Sequence, residues 1–518
     1  MAKYRIANIK LKPGEGWEAL PLKIEKKCGL HAGYINAEDL TVIRESIDAR
    51  DKKNIQLVYT LDFNWKGKLP GRMRKQVIPA PDLTLPEPEP GDEVLSGRPV
   101  VVGFGPCGIF AALALARAGY APIVVERGAD MENRVADVDA FWKKGQLKPE
   151  SNVLFGEGGA GTFSDGKLTT GIKDPHIRQV LTDFVEAGAP EDILYKQKPH
   201  IGTDVLRKVV VNLRRGVEAA GGEVRFETCM TAIKTDEAGR ICAVELKNEK
   251  GIYELATNAV ILAPGHSARD TFRYLNKTGV PMAQKPFSIG VRIEHPQALI
   301  DKAQYGDTKG LPPADYKLSC HTEDGRGVYS FCMCPGGEVI TATTEERLLC
   351  VNGMSNRNRD SGVANAGILV DVRTSDFGSD DVLAGVAFQE KWERRAFEEG
   401  GGHYAPPRCS WSDFRDQTLR GQKVAACLPD FAVSALKEGI PGFGRRIAGF
   451  DSEDARLTAV ETRSSSPVRI LRGEDFQSEM KGLYPAGEGA GYAGGITSAA
   501  CDGLRAARAI ISRFKPWK

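Results

Sequence analysis

The sequence predicts an α/β protein in which a nucleotide-binding domain is interrupted by a mixed α+β domain and preceded by a small α+β unit. Three observations predict it. The apolar strand Val100-Val101-Val102 runs into the turn Gly103-Phe104-Gly105-Pro106-Cys107-Gly108 and then into the apolar helix 109–118. A second strand, glycine loop and helix recur far downstream, across 482–514. Pro79, Pro81, Pro86, Pro88 and Pro90 set the N-terminal segment apart from the rest.

The chain has 518 residues. At roughly 100–200 residues per domain there is room for about three. The expected plan is an N-terminal α+β domain at 1–76 and a proline-rich linker at 77–98. The nucleotide-binding domain occupies 99–285 and 451–518, with a substrate-side domain at 286–450 between its two parts. Within 1–76, Tyr4–Leu11, Leu40–Asp48 and Ile55–Phe63 alternate as strands do, and Trp17–Cys28 suits a helix. The linker prolines block helix and disfavour central strands, so 77–98 is expected to be extended. Glu223–Phe226, Ala232–Thr235, Ile241–Leu246 and Tyr253–Leu255 read as an antiparallel meander. Val260–Ala263 reads as a buried strand, and Leu383–Phe397 as a helix of the second domain.

The glycine loop carries the strongest chemistry. Gly103 permits the tight turn, Gly105 lets a pyrophosphate approach the backbone, and Gly108 lets helix and strand pack closely. Pro106 and Cys107 open the helix, whose free N–H groups and positive dipole end face the phosphates. Glu126 ends the next strand, where a carboxylate can accept hydrogen bonds from ribose hydroxyls, and Arg127 follows it. This is the pattern of a Rossmann unit. Alone it does not tell one dinucleotide from another.

Three further passages point to the same site. Gly487-Glu488 follows a short strand that starts at Gly482, and Ala493-Gly494-Gly495-Ile496 opens the last helix. The turn Ala263-Pro264-Gly265 closes the strand Val260–Ala263. Gly158-Gly159-Ala160-Gly161-Thr162 lies in a glycine-rich loop that lacks the Gly-Lys-Ser/Thr ending of a nucleotide hydrolase. That loop reads either as a cofactor loop or as a mobile surface loop.

Together these passages resemble the glutathione-reductase-like flavoproteins. Within them the chain is similar, along its whole length, to the uncharacterised bacterial FAD-dependent dehydrogenases. The matching passages are Glu45–Arg50, Gly158–Leu168, Phe287–Pro296, Phe331–Gly337, Glu461–Arg469 and Gly482–Gly503. The resemblance implies FAD, and a substrate-side domain inserted into the FAD-binding one. It implies that Gly487-Glu488, with Glu in place of the usual Asp, holds the ribityl and pyrophosphate region. It implies that Pro264 stands where Thr is usual, and that Met230 marks a backbone contact to adenine. It implies no particular substrate.

Flavin would supply the redox chemistry, so the protein groups of interest are those that face it. Cys332 and Cys334 read either as thiols serving the flavin or as packed thiols. On a strand, the two would share one face. His266 reads as a proton donor or as a structural histidine. Arg292 and His295 suit an anionic substrate or a proton relay, although Arg292 with Glu294 equally suits a plain ion pair. Arg463, beside Ser464–Ser466, suits a carboxylate pocket or a solvated loop.

The composition narrows the class. Hydrophobic residues make up 42% and charged residues 27%, as in an ordinary globular chain. The formal net charge of +2 gives no field for nucleic acid or membrane. No stretch approaches the ~18 apolar residues of a membrane helix. The 11 cysteines are odd in number and scattered, unlike a disulfide framework, and the chain contains no metal-binding motif. A cytoplasmic oxidoreductase with a small-molecule substrate is expected. No second GxGxxG provides a dedicated NAD(P)H domain, which leaves transient NAD(P)H binding open. Two other classes stay open: an NAD-only dehydrogenase, and a flavin-bound interaction protein whose basic N-terminal domain binds RNA or another anionic partner. Oligomeric state is not legible.

Overall fold

The computed structural model describes residues 2–517. Its nucleotide-binding sheet has five parallel strands, ordered Leu483–Pro485, Val260–Leu262, Val100–Val102, Ile123–Val125 and Glu223–Arg225. The central strands are unbroken apolar triplets, as strands covered on both faces must be. The helices Pro106–Arg117, Thr203–Ala219 and Ile496–Ile511 pack together on one face. The first and last of these touch closely because Gly503 has no side chain: a Cβ there would collide with the carbonyl of Cys107. Gly108 has the same role beneath the loop, where a Cβ would collide with the carbonyl of Gly103.

One strand departs from expectation. Glu223–Arg225 pairs in parallel with Ile123–Val125 as an edge strand of the main sheet. The antiparallel meander therefore has three strands, Cys229–Thr235, Ile241–Asn248 and Gly251–Ala256.

The N-terminal domain is a four-stranded sheet built from Ala2–Leu11, Leu40–Asp48, Gln56–Trp65 and Val77–Pro79, with the helix Leu20–Cys28 packed on it. The first three residues of the expected linker thus belong to this sheet. The linker then runs back along the last helix: Gly91 N–H donates to the Ile511 carbonyl at 2.9 Å, and Arg508 reaches the Pro86 carbonyl at 2.7 Å.

The second domain is built on a six-stranded sheet whose central strands are Phe287–Pro296 and Val363–Val372. Arg456–Glu461 pairs with Phe287–Pro296, so this domain extends past the expected boundary at 450. Val468–Ile470 then pairs with Met282–Gln284, and the two crossings between domains lie side by side.

Candidate functional site

Three parallel strands end at the same edge of the main sheet, and the turns that follow them open onto one deep cavity. Ligands of open α/β sheets bind at this edge, beyond the carboxyl ends of the strands. Gly103, Gly105, Pro106 and Cys107 line the cavity from the first turn, Ala263, Pro264, Gly265 and His266 from the second, and Glu488 from the third. Gly494, Gly495 and Ile496 enter from the last helix, Gly159, Ala160 and Gly161 from the glycine-rich loop, and Met230 from the meander.

Two helix N-termini meet there. Gly105 and Gly495 are the N-caps of the helices Pro106–Arg117 and Ile496–Ile511, and neither receives a side-chain cap. Their first-turn N–H groups are free for an anion. The backbone is also bare where a ligand must come close. A Cβ on Gly105 would meet only Gly159 Cα, at 3.7 Å, and a Cβ on Gly265, Gly494 or Gly495 would meet nothing within 4 Å.

Glu126 is buried at the end of its strand. Its carboxylate accepts N–H bonds from Phe104 at 2.8 Å, Gly128 at 2.9 Å and Gly156 at 3.0 Å. It therefore ties the first glycine turn to the glycine-rich loop while still lining the cavity. Arg127, beside it, is paired with Asp270 at 2.6 Å and stacks on Phe155.

The glycine-rich loop is not a mobile surface segment. Arg134 is fully buried and donates to the carbonyls of Asn152 at 2.9 Å, Val153 at 2.9 Å and Glu157 at 2.6 Å. Asp165 pairs with Arg359 at 2.6 Å. Thr162 points away from the cavity, its hydroxyl on the Glu157 carbonyl at 3.2 Å, and Gly158 donates to the Phe104 carbonyl at 2.9 Å. These two support the cradle from behind, as do Gly108, Gly487 and Ala493, none of which lines the cavity.

The second domain forms the opposite wall with Phe331, Cys332, Cys334, Asn352, Glu461 and Arg463. The two cysteines do not share one strand face as expected. The strand bulges between Phe331 and Cys334, and Cys332 adopts φ +40°, in the left-handed region. The bulge exposes Cys332 to the cavity and buries Cys334. Arg292 Nη1 donates to the Cys332 carbonyl at 2.9 Å, and the Cys334 thiol donates to the same oxygen at 3.2 Å. Desolvation by the surrounding protein, opposed by the Arg292 charge, pushes the Cys332 thiol up to about 12. The thiol is therefore protonated at neutral pH.

The expected substrate residues are not free. Arg292 is fully buried, with Nε 2.7 Å from Glu461, and donates to Asn352 and Asn365 as well. Glu461, from the distant strand, takes the place expected for Glu294. His295 faces the other side of its strand, bonded to the Phe450 carbonyl at 2.7 Å and away from the cavity. The Arg463 guanidinium is bound to Glu393 at 2.7 Å and to Thr344 at 2.9 Å. Burial would raise Glu393, but the Arg269 and Arg463 guanidiniums outweigh it and hold the carboxyl well below the usual range. His266 does line the cavity. Its Nε2 donates to the Arg463 carbonyl at 2.8 Å, which leaves Nδ1 as the acceptor of the neutral ring.

Several residues of the site were not singled out by sequence. Asp502, in the last helix, is fully buried, accepts the Gly487 N–H at 2.8 Å and pairs with Arg472 at 2.7 Å. Lys167 and Asn352 line the cavity. A lone Asp among the small residues of Thr497–Ala507 was a visible signal. Lys167 and Asn352 had none, because only the meeting of the two domains gives them a role.

These features define an α/β protein of the dinucleotide-binding type, with one cavity lined by residues of two domains. Residues 286–464 match the family described as FAD-dependent protein, C-terminal domain-like, and residues 3–64 match a domain of unknown function (DUF8436). An uncharacterized protein of Clostridium beijerinckii is 45% identical over 533 residues, spanning 98% of this chain and 99% of that protein. The chain belongs to the family of that clostridial protein. Among solved structures, the flavin-dependent brominase Bmp2 triple mutant is similar at TM-score 0.38 and 14% identity, over 80% of this chain and 79% of that one. A flavoprotein/dehydrogenase from Cytophaga hutchinsonii is similar at TM-score 0.37 and 13% identity, over 79% of this chain and 77% of that one. The match at 286–464 is to FAD-dependent proteins, and FAD is the cofactor of this protein. Among the described residues there is no cluster of side chains suited to a metal ion, and no helix is long and apolar enough to cross a membrane.

Proposed function

We propose that the protein is an FAD-dependent oxidoreductase, a dehydrogenase or reductase that exchanges a hydride between flavin N5 and a small-molecule substrate. The supporting observation is the division of the cavity. One side is a phosphate and ribose cradle, and the other is a second-domain wall carrying a thiol and fixed polar groups. Bound FAD supplies a two-electron donor or acceptor at N5.

The chain's own residues do the rest. Gly105 and the first turn of Pro106–Arg117 would hold the pyrophosphate. Glu126 would fix the adenosine ribose, and Glu488, which has no partner among the described residues, would accept from the ribityl hydroxyls. The N-terminus of Ile496–Ile511 would stabilise negative charge at the ring's pyrimidine edge. The protonated Cys332 thiol and the acceptor nitrogen of His266 could each hold or move a proton beside a reacting substrate. A neighbouring cleft lined by Ser288, Tyr329 and Arg373 shares Phe331, Ser464 and Gly494 with this cavity and would be the side from which substrate enters.

Anaerobic titration of the FAD-loaded protein with candidate hydride donors, NADH and NADPH included, tests this reading. The flavin absorbance is expected to bleach with at least one donor. A flavin that dithionite reduces but that stays unreactive to every organic donor, and whose reduced form passes electrons to no organic acceptor, would contradict it.

A further inference from the structure

The charges that line the cavity can be accounted for one by one. Glu126 is satisfied by three backbone N–H groups, and Asp165 by Arg359. Glu461 is satisfied by Arg292, Arg127 by Asp270 and Arg463 by Glu393. Two charges remain without a hydrogen bond or ion pair among the described residues, Glu488 and Lys167. Glu488 lies on the nucleotide-binding side, next to the last helix. Lys167 lies where the glycine-rich loop meets the second domain: two residues before it, Asp165 pairs with Arg359 at 2.6 Å and accepts from the Ser355 hydroxyl.

A half-buried ammonium with no counter-ion beside a cofactor calls for an explanation. Neighbouring groups point to one. Asn352 Oδ1 accepts from Arg292 Nη2 at 2.9 Å and from the Gly353 N–H at 2.8 Å. Both partners are donors, so the amide can sit only with its oxygen toward them. Its Nδ2 donors have no acceptor among the described residues and belong to a side chain that lines the cavity. Cys332, also on this wall, presents a neutral S–H to the same space. Arg292 thus fixes two of these groups at once, through the Asn352 amide oxygen and the Cys332 carbonyl.

Lys167 and the facing wall therefore offer one positive charge and neutral donors, with no unpaired carboxylate on that wall among the described residues. We infer that it is a substrate subsite for the carboxylate of a small monoanionic acid, anchored by the Lys167 ammonium and the Asn352 amide. A single cation matches a single carboxylate charge, whereas a phosphate dianion would leave charge uncompensated in a desolvated site. The inference rests on the reading of the cavity as an FAD site, with the pyrophosphate held at Gly105 and the first turn of Pro106–Arg117.

The test uses the full-length, FAD-loaded protein. Acetate and benzoate are titrated in while the visible flavin spectrum is read, with benzamide and inorganic phosphate run in parallel. At least one carboxylate is expected to perturb the spectrum, more tightly than benzamide or phosphate, and with affinity that falls as salt rises. Lys167→Met is expected to weaken that carboxylate at least about tenfold, ~1.4 kcal/mol, at unchanged FAD content. Lys167→Arg is expected to retain most of the binding. The inference is overturned if neither carboxylate perturbs the wild-type flavin, if Lys167→Met binds as the wild type does, or if phosphate binds more tightly than both. Loss of FAD from both Lys167 variants would assign the residue to the cofactor and overturn the inference while leaving the FAD site intact. Absence of flavin from folded wild-type protein would instead overturn the reading on which it rests.

Discussion

At the scale of single residues, the site separates groups that serve the fold from groups that serve the ligand. Gly105 and Gly108 stand in one loop with opposite roles. The fold has room for a Cβ at Gly105 but none at Gly108. Gly105→Val should cost the flavin-free protein about 1 kcal/mol or less, as an N-cap change of this kind does, yet remove FAD retention. Gly108→Ala should cost about 1–3 kcal/mol by overpacking. Urea denaturation and FAD content, measured on both variants, check the contrast. Glu393 gives a pH prediction. Its folded value lies below the ordinary 4.5, so its stabilisation is present above pH 4.5 and is lost as pH falls below it. Glu393→Gln should flatten this acid limb. At neutral pH it should cost about 3–5 kcal/mol, because Arg269 and Arg463 would be left without their carboxylate. An unchanged slope of stability against pH below 4.5 would contradict the assignment.

At the scale of elements, what the sequence revealed depended on the distance over which each signal acts. The glycine loop and Glu126 were legible because the strand, the turn and the next strand lie within one short βαβ unit. The same holds for the strands at 260–262 and 483–485 and for the helix that follows the latter. Residues 223–226 were placed in the wrong sheet, since a short edge strand reads alike whether its partner is parallel or antiparallel. The helix Thr203–Ala219 went unread although Leu206, Val209, Val210, Leu213 and Val217 carry a helical period. Arg292, His295 and Arg463 were misread for another reason. Their partners Glu461, Phe450 and Glu393 come from far along the chain, and no local pattern shows which side of a strand will meet them. The bulge at Cys332 defeated simple alternation in the same way. One element contact yields its own test. Asp502 ties the last helix to the Gly487-Glu488 turn, so Asp502→Asn should weaken FAD binding at least about tenfold while helix content is retained. Equal FAD release rates in the variant and the wild type would show that the turn needs no such support.

At the scale of the whole molecule, the cavity belongs to two domains and not to the third. None of its lining residues precedes Val102. The N-terminal sheet meets the rest of the chain through Glu45, which exchanges backbone hydrogen bonds with Tyr195 and Gln197, and through the edge of Trp17 against Tyr195. A chain beginning at residue 81 keeps the linker segment that lies along the last helix and should retain FAD. Flavin loss on this truncation would mean that the N-terminal domain supports the cavity from a distance. The second domain, by contrast, closes the cavity from the other side, and its two crossings with the nucleotide-binding domain are stitched by the pairing of Met282–Gln284 with Val468–Ile470. The central claim is that this shared cavity holds one FAD. Its most direct test is extraction of the cofactor from the folded, purified full-length chain, with identification and quantitation of what is released. The expected result is FAD at one molecule per chain. A well-folded chain that releases no FAD and takes none up, or that releases only a nicotinamide dinucleotide, would contradict it.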